Sequence, residues 1–166
     1  MLKFKMFLAL FPLFLFLSAE ARQLNEGDFI AGGNVGLALG WGGLTVGGSF
    51  ERGIVDDVAD NINLSAGLTG IYTSYTYTST WSVSHTFIGA MVNLNYYTPD
   101  LDKLQPYGGL IVGYNLINVE GGYSGSYGSG LGVGAQIGTR YYLSEPMALN
   151  FRLGFPVTSI GLDYRF

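Results

Sequence analysis

His85 is the only histidine among the 166 residues. It is therefore the one side chain that changes charge near neutrality and suits general base work without help from its surroundings. Ser82 and Ser84 lie three and one residues before it, which raises the possibility of a base-activated serine. The pattern does not complete that chemistry. No acidic residue is adjacent to orient the imidazole, and the serines precede the histidine instead of following it in a His-x-Ser order. The residues read as a rim histidine in a polar stretch, with catalysis as the minor alternative.

Other groupings that carry chemistry elsewhere are also incomplete. Asp56, Asp57 and Asp60 suggest a calcium turn, but they fix too few oxygens for such a site, and a solvated turn accounts for them. Residues 121–130 are rich in glycine without the GK[ST] ending of a phosphate-binding loop. The absence of cysteine excludes disulfides and thiolate metal sites. No cofactor or metal is expected. What remains is a set of charged and amide side chains, Glu51, Gln136, Arg140, Asn150, Arg152, Asp163 and Arg165, scattered singly through apolar sequence. Such groups need partners if buried.

The elements that must position them begin after an export signal. Met1 to Lys5 carries two lysines, Met6 to Leu17 is uncharged and dominated by Leu and Phe, and Ser18 to Ala21 offers small residues for cleavage after Ala21. Twelve apolar residues fall short of the ~20 of a spanning helix. Residues 1–21 are thus expected to be a cleaved signal peptide and 22–166 a single domain. Cleavage removes Lys3, Lys5 and Glu20 from 8 basic and 12 acidic groups, leaving six, eleven and a net charge of −5. A net acidic chain without basic runs does not suit nucleic acid. Only 12% of residues are charged, about half the usual share of a soluble domain, yet 48% are hydrophobic and 26 are glycine.

Periodicity of two accounts for this composition. Alternating segments run from about 28 to 39, 44 to 51, 62 to 72, 85 to 97, 107 to 117, 131 to 143, 147 to 155 and 158 to 166. Their apolar faces carry residues such as Leu64, Leu68, Val92, Leu110, Leu153 and Ile160. The opposite faces carry Gly, Asn, Ser and Thr. Eight strands of about this length match a tilted membrane crossing, so the expected fold is an all-β, eight-stranded antiparallel up-and-down transmembrane β-barrel. Residues 52–61, 98–106 and 144–146 are read as turns on one side, and 40–43, 73–84, 118–130 and 155–157 as loops on the other. Of these, 73–84 and 118–130 are the long ones, and some of residues 74–84 alternatively extend the neighbouring strands.

The polar face carries too few charges for a water-facing surface, and an eight-stranded barrel has room for little more than side chains. The polar face therefore points inward. Glu51, Gln136, Arg140, Asn150, Arg152, Asp163 and Arg165 then share the interior, where Glu51 and Asp163 are expected to meet some of the arginines as a plug instead of a conduit. Tyr75, Tyr77, Trp81, Tyr123 and Tyr127 fall in the long loops. They are candidates for contact with an extracellular ligand, next to an interfacial aromatic girdle.

Three segments carry a resemblance: Gln105-Pro-Tyr-Gly-Gly-Leu-Ile-Val-Gly-Tyr114, Gly138-Thr-Arg-Tyr-Tyr-Leu143 and Gly161-Leu-Asp-Tyr-Arg-Phe166. Over residues 27–166 the chain resembles the small outer-membrane β-barrel proteins related to outer membrane proteins X, A and W. The resemblance implies a Gram-negative-type outer membrane as location, and a role for Leu162, Tyr164 and Phe166 as the signal read by the barrel-assembly machinery. Proteins of that family serve adhesion, stress resistance and envelope structure. The resulting expectation is a monomeric, non-enzymatic barrel in outer-membrane lipid that presents loops for adhesion or ligand recognition. An envelope-structural barrel without a ligand is the alternative, and a lipid-modifying enzyme built around His85 a distant third.

Overall fold

A computed structural model describes residues 24–39, 42–78, 81–97, 103–120 and 128–166, with the side chains of Tyr77, Thr78 and Trp81 not included. The signal-peptide segment, Trp41, Tyr123 and Tyr127 lie outside the described residues. Eight strands follow in order: β1 (Phe29–Ala38), β2 (Leu44–Ala59), β3 (Ile62–Thr78), β4 (Trp81–Tyr96), β5 (Leu104–Glu120), β6 (Gly130–Tyr142), β7 (Met147–Phe155) and β8 (Val157–Arg165). Each pairs antiparallel with the next, and β1 pairs with β8 from Ile30↔Arg165 to Ala38↔Val157, closing the barrel. Closure removes the exposed edges that an open sheet would leave.

The alternation decides which face is which. Val35, Leu68, Val92, Leu110, Val133, Leu153 and Ile160 are exposed on the outside, while Thr45, Glu51, Ser65, Asn93, Gln136, Arg140 and Asp163 are buried within. An apolar outside around a polar inside is the arrangement of a barrel solvated by lipid. The chain is a transmembrane β-barrel.

Several strands outrun the turns and loops expected from sequence. Within 73–84 the alternative of extended strands holds: β3 continues to Thr78 and β4 starts at Trp81, paired through Tyr75↔Val83 and Thr76↔Ser82. Thr and Tyr favour extended pairing, and this outweighs the polarity that suggested a loop. β5 likewise runs to Glu120, so 118–120 are strand. The segment 52–61 is also mostly strand, because β2 reaches Ala59 through register shifts after Gly53 and Val55. Such bulges absorb the acidic run without ending the ribbon, and the turn itself is tight, with Asn61 at φ 60°. At the same end β5 begins at Leu104, so Pro106 is a strand residue. It pairs with Thr139 of β6, while β4 pairing starts only at Tyr107, so its missing N–H breaks no ladder.

The segment before β1 folds under the barrel. Leu24 is fully buried, and its carbonyl accepts a bond of 2.9 Å from Asn63 Nδ2. Asp56 Oδ1 accepts from Glu26 N at 2.7 Å and from Asn63 Nδ2 at 2.9 Å. Part of the acidic run thus secures this segment. Gly53 makes room for it, since a Cβ there would lie 1.9 Å from the Asn25 carbonyl oxygen.

Candidate functional site: a polar plug under an apolar throat

Inward-facing positions of β2, β4, β5 and β8 meet at Arg140 of β6. Its Nη2 lies 2.5 Å from Glu51 Oε2 of β2, its Nε 2.9 Å from Asp163 Oδ2 of β8, and its Nη1 2.8 Å from Asn95 Oδ1 of β4. The guanidinium also sits 4.5 Å from the centre of the Tyr107 ring of β5. The guanidinium is buried, where an unpaired charge is costly, and the two carboxylates compensate it. Ser65 of β3 donates to Glu51, and Asn95 Nδ2 donates to Ser65 Oγ at 2.7 Å. Asn150 Nδ2 donates to Asp163 at 2.7 Å, Tyr107 OH donates to Asn150 Oδ1 at 2.7 Å, and Arg152 Nε donates to Tyr107 OH at 3.3 Å. Gln136 Nε2 joins Asn93 Oδ1 at 2.7 Å.

Of the seven interior polar residues expected from sequence, Glu51, Arg140, Asn150, Arg152 and Asp163 are linked directly in this way, and Gln136 joins Asn93 above them. Arg165 is placed at the end of the barrel, 4.0 Å from Asp28 Oδ2. Ser65, Asn93, Asn95 and Tyr107 were not singled out. Their parity on the same faces as Gly67, Met91 and Gly109 was the signal that could have found them.

Above the plug the interior turns apolar. Ala38, Ile71, Phe87, Met91, Ile111 and Val157 form one buried cluster. Phe87 occupies a space emptied by glycines: a Cβ on Gly89, Gly113 or Gly132 would lie 2.7, 2.6 or 3.3 Å from its ring. The Phe87 ring thus lies over the glycines of its own strand and of β5 and β6.

His85 stands over this cluster. It is 6% exposed and faces inward. Asn115 Nδ2 lies 3.4 Å from Nδ1, Tyr75 OH lies 3.3 Å from Nε2, and the Tyr75 ring stacks on the imidazole at 5.9 Å. Tyr75 is accordingly an inward, half-buried strand residue and not part of a free loop. Ser82 and Ser84 occupy the opposite face of β4, pointing away from the imidazole, as the two-residue alternation requires.

The lower rim outside is aromatic. Phe29 lies 5.4 Å from Phe50 and 6.3 Å from Phe166, Tyr164 lies 6.1 Å from Phe166, and Arg52 sits 5.0 Å over Phe29. Leu162, Tyr164 and Phe166 all face outward. Backbone bonds Phe166 N to Phe29 O at 3.0 Å and Phe29 N to Phe166 O at 3.2 Å extend the β1–β8 seam to that residue.

Comparison of the whole structure with solved ones gives one architecture. A de novo designed transmembrane β-barrel superposes at a TM-score of 0.55, 18% identical over 89% of this chain and 99% of that one. The attachment invasion locus protein Ail of Yersinia pestis, solved in complex with the heparin analogue sucrose octasulfate, superposes at 0.58, with 12% identity over 85% and 99%. The chain has the fold of the small outer-membrane β-barrels. The outer membrane protein OprG of Pseudomonas aeruginosa is a further example at 0.54, with 16% identity over 86% and 97%. No family model and no curated protein matches the sequence.

Proposed function

We propose that the protein resides in a bacterial outer membrane and acts there without catalysis, presenting a β-sheet wall above the lipid for adhesion or ligand recognition. One observation carries this reading. The outward residues of β3, β4 and β5 are Leu68 and Tyr72, Ile88 and Val92, and Tyr114 and Leu116 at membrane level. They then change to Ser74 and Thr76, to Ser82, Ser84 and Thr86, and to Asn118 and Glu120, while the strands continue. Lipid has no use for that polar extension. From Tyr72 to Thr78 the wall rises about 20 Å along the strand at ~3.3 Å per residue.

Its described part carries no lysine or arginine. The sulfated ligand seen with Ail therefore does not transfer to this chain, and a neutral glycan or a polypeptide fits the surface better. The hydroxyl rows and the aromatic residues Tyr77, Trp81, Tyr123 and Tyr127 are the contact candidates. The non-enzymatic reading is supported by Ser82 and Ser84, which lie on the face of β4 opposite the imidazole. A structural barrel with no specific ligand is the second reading, favoured by an interior closed by the plug.

Replacing 74–84 by a two-residue turn leaves the ladder below Thr73 and His85 intact, so the barrel should still form. Loss of binding to host-type or envelope surfaces, with folding retained, is the outcome expected for recognition. Undiminished binding by the folded variant would remove this reading in favour of the structural one.

A further inference from the structure

The barrel wall is incomplete between the outer ends of β6 and β7. β6 pairs with β5 up to Asn115↔Gly130, but its pairing with β7 stops at Ala135↔Phe155. The cause is the abrupt turn at Pro156, which sends the chain into β8 at Val157. Residues 130–134 are left without ladder partners on the β7 side. By register Leu131 stands opposite Tyr114 and Val133 opposite Val112, so this edge lies at the upper part of the apolar belt and not above it. Unpaired backbone at that depth is costly unless something covers it.

Behind the gap lies a cavity of about 290 Å³, close to the lower end of the ~300–1,000 Å³ typical of small-molecule sites. Its lining joins the two faces of the barrel. Leu131, Val133 and Phe155 belong to the lipid-facing surface, Leu131 being 84% exposed, while Phe87 and Asn115 belong to the interior. Asn115 Oδ1 is buried and has no hydrogen-bond partner among the described residues. The cavity thus has a hydrocarbon door and one unsatisfied acceptor at its inner end.

We propose that this gap binds a single-chain amphiphile drawn sideways from the membrane. Its hydroxyl donates to Asn115 Oδ1, and its chain passes over Phe87 and out between Leu131, Val133 and Phe155 into the lipid. The occupant satisfies the orphaned acceptor and covers the open edge of β6 at once. A donor-bearing head is required because the free atom accepts, and a single chain is required because the cavity is small.

The test uses the isotope-labelled protein refolded in lipid nanodiscs, titrated with 1-decanol and separately with decane. The amides of Gly130 and Gly132 and the side-chain amide of Asn115 should shift saturably with decanol, with proximity signals to the Phe87 ring. Gly132→Leu, which places a side chain into the cavity beside that ring, should abolish the saturable response while the barrel stays closed. Asn115→Ala keeps the apolar walls and should weaken decanol about fivefold, the worth of one hydrogen bond, while leaving decane unchanged. Shifts that rise linearly and spread over Leu68, Val92 and Leu110 would mean simple partitioning and overturn the proposal. So would saturable binding retained in folded Gly132→Leu, or equal decanol affinity in Asn115→Ala.

Discussion

At the scale of the residue, Arg140 is the interior position with most at stake. Removing its side chain leaves Glu51 and Asp163 buried without their cation, so Arg140→Ala should cost about 3–5 kcal/mol, read as a lowered urea midpoint in lipid. A triple change of Arg140→Met, Glu51→Gln and Asp163→Asn removes the charges together and should recover much of that loss. If the single and triple variants unfold alike, the plug is not held by charge pairing. Parity alone placed Glu51, Arg140 and Asp163 on the inner face. It could not say that one arginine takes both carboxylates, because the stagger between β2, β6 and β8 sets their relative heights, and that stagger depends on pairings distant in sequence. His85 shows the same limit in another form. Its place next to a polar stretch did not show which way it points, whereas its parity with Phe87 and Met91 puts it inside once the strand is extended.

At the scale of the element, strand lengths depart from the sequence reading more than strand identities do. All eight strands were legible from alternation, but β2, β3, β4 and β5 each extend past the point where the outward face turns polar. Hydrophobic alternation reports the membrane belt, so it ends where lipid ends, while the hydrogen-bonded ladder continues into water. Close strand approaches were not legible either, because they depend on register. β2 and β3 are an instance: a Cβ on Gly67 would lie 2.0 Å from the Phe50 carbonyl oxygen. Gly67→Ala should force the two backbones apart and destabilise the barrel by about 1–3 kcal/mol, whereas Gly33→Ala, with no atom within 4 Å of the added carbon, should change the urea midpoint little. Equal effects at both sites would show that the register of β2 on β3 is wrong. Phe166, at the β1–β8 seam, gives a kinetic counterpart. Phe166→Ala removes the ring stacked on Phe29 and is expected to slow assembly by the barrel-assembly machinery in vesicles, with little change in the folded product.

At the scale of the whole molecule, the charged plug and the apolar throat describe a barrel blocked along its axis. Neither obstruction depends on the other. Phe87→Ala should therefore lower stability by about 3 kcal/mol or more, as large-to-small changes in a filled core do, without opening a conducting path past Arg140. A steady large conductance in planar bilayers, in the parent or in this variant, would contradict that account. The central claim is that the outer aliphatic face lies in lipid and that β3, β4 and β5 rise above it. The most direct measurement is methyl relaxation in nanodiscs containing a lipid-borne spin label near the bilayer centre. Methyls of Leu68, Val92, Leu110 and Leu153 should be broadened strongly, while those of Ile71, Met91 and Ile111 inside, and that of Thr76 on the wall, should be spared. Broadening of the interior methyls instead, or of the wall to the same degree as the belt, would contradict the inside-out assignment on which the functional reading stands.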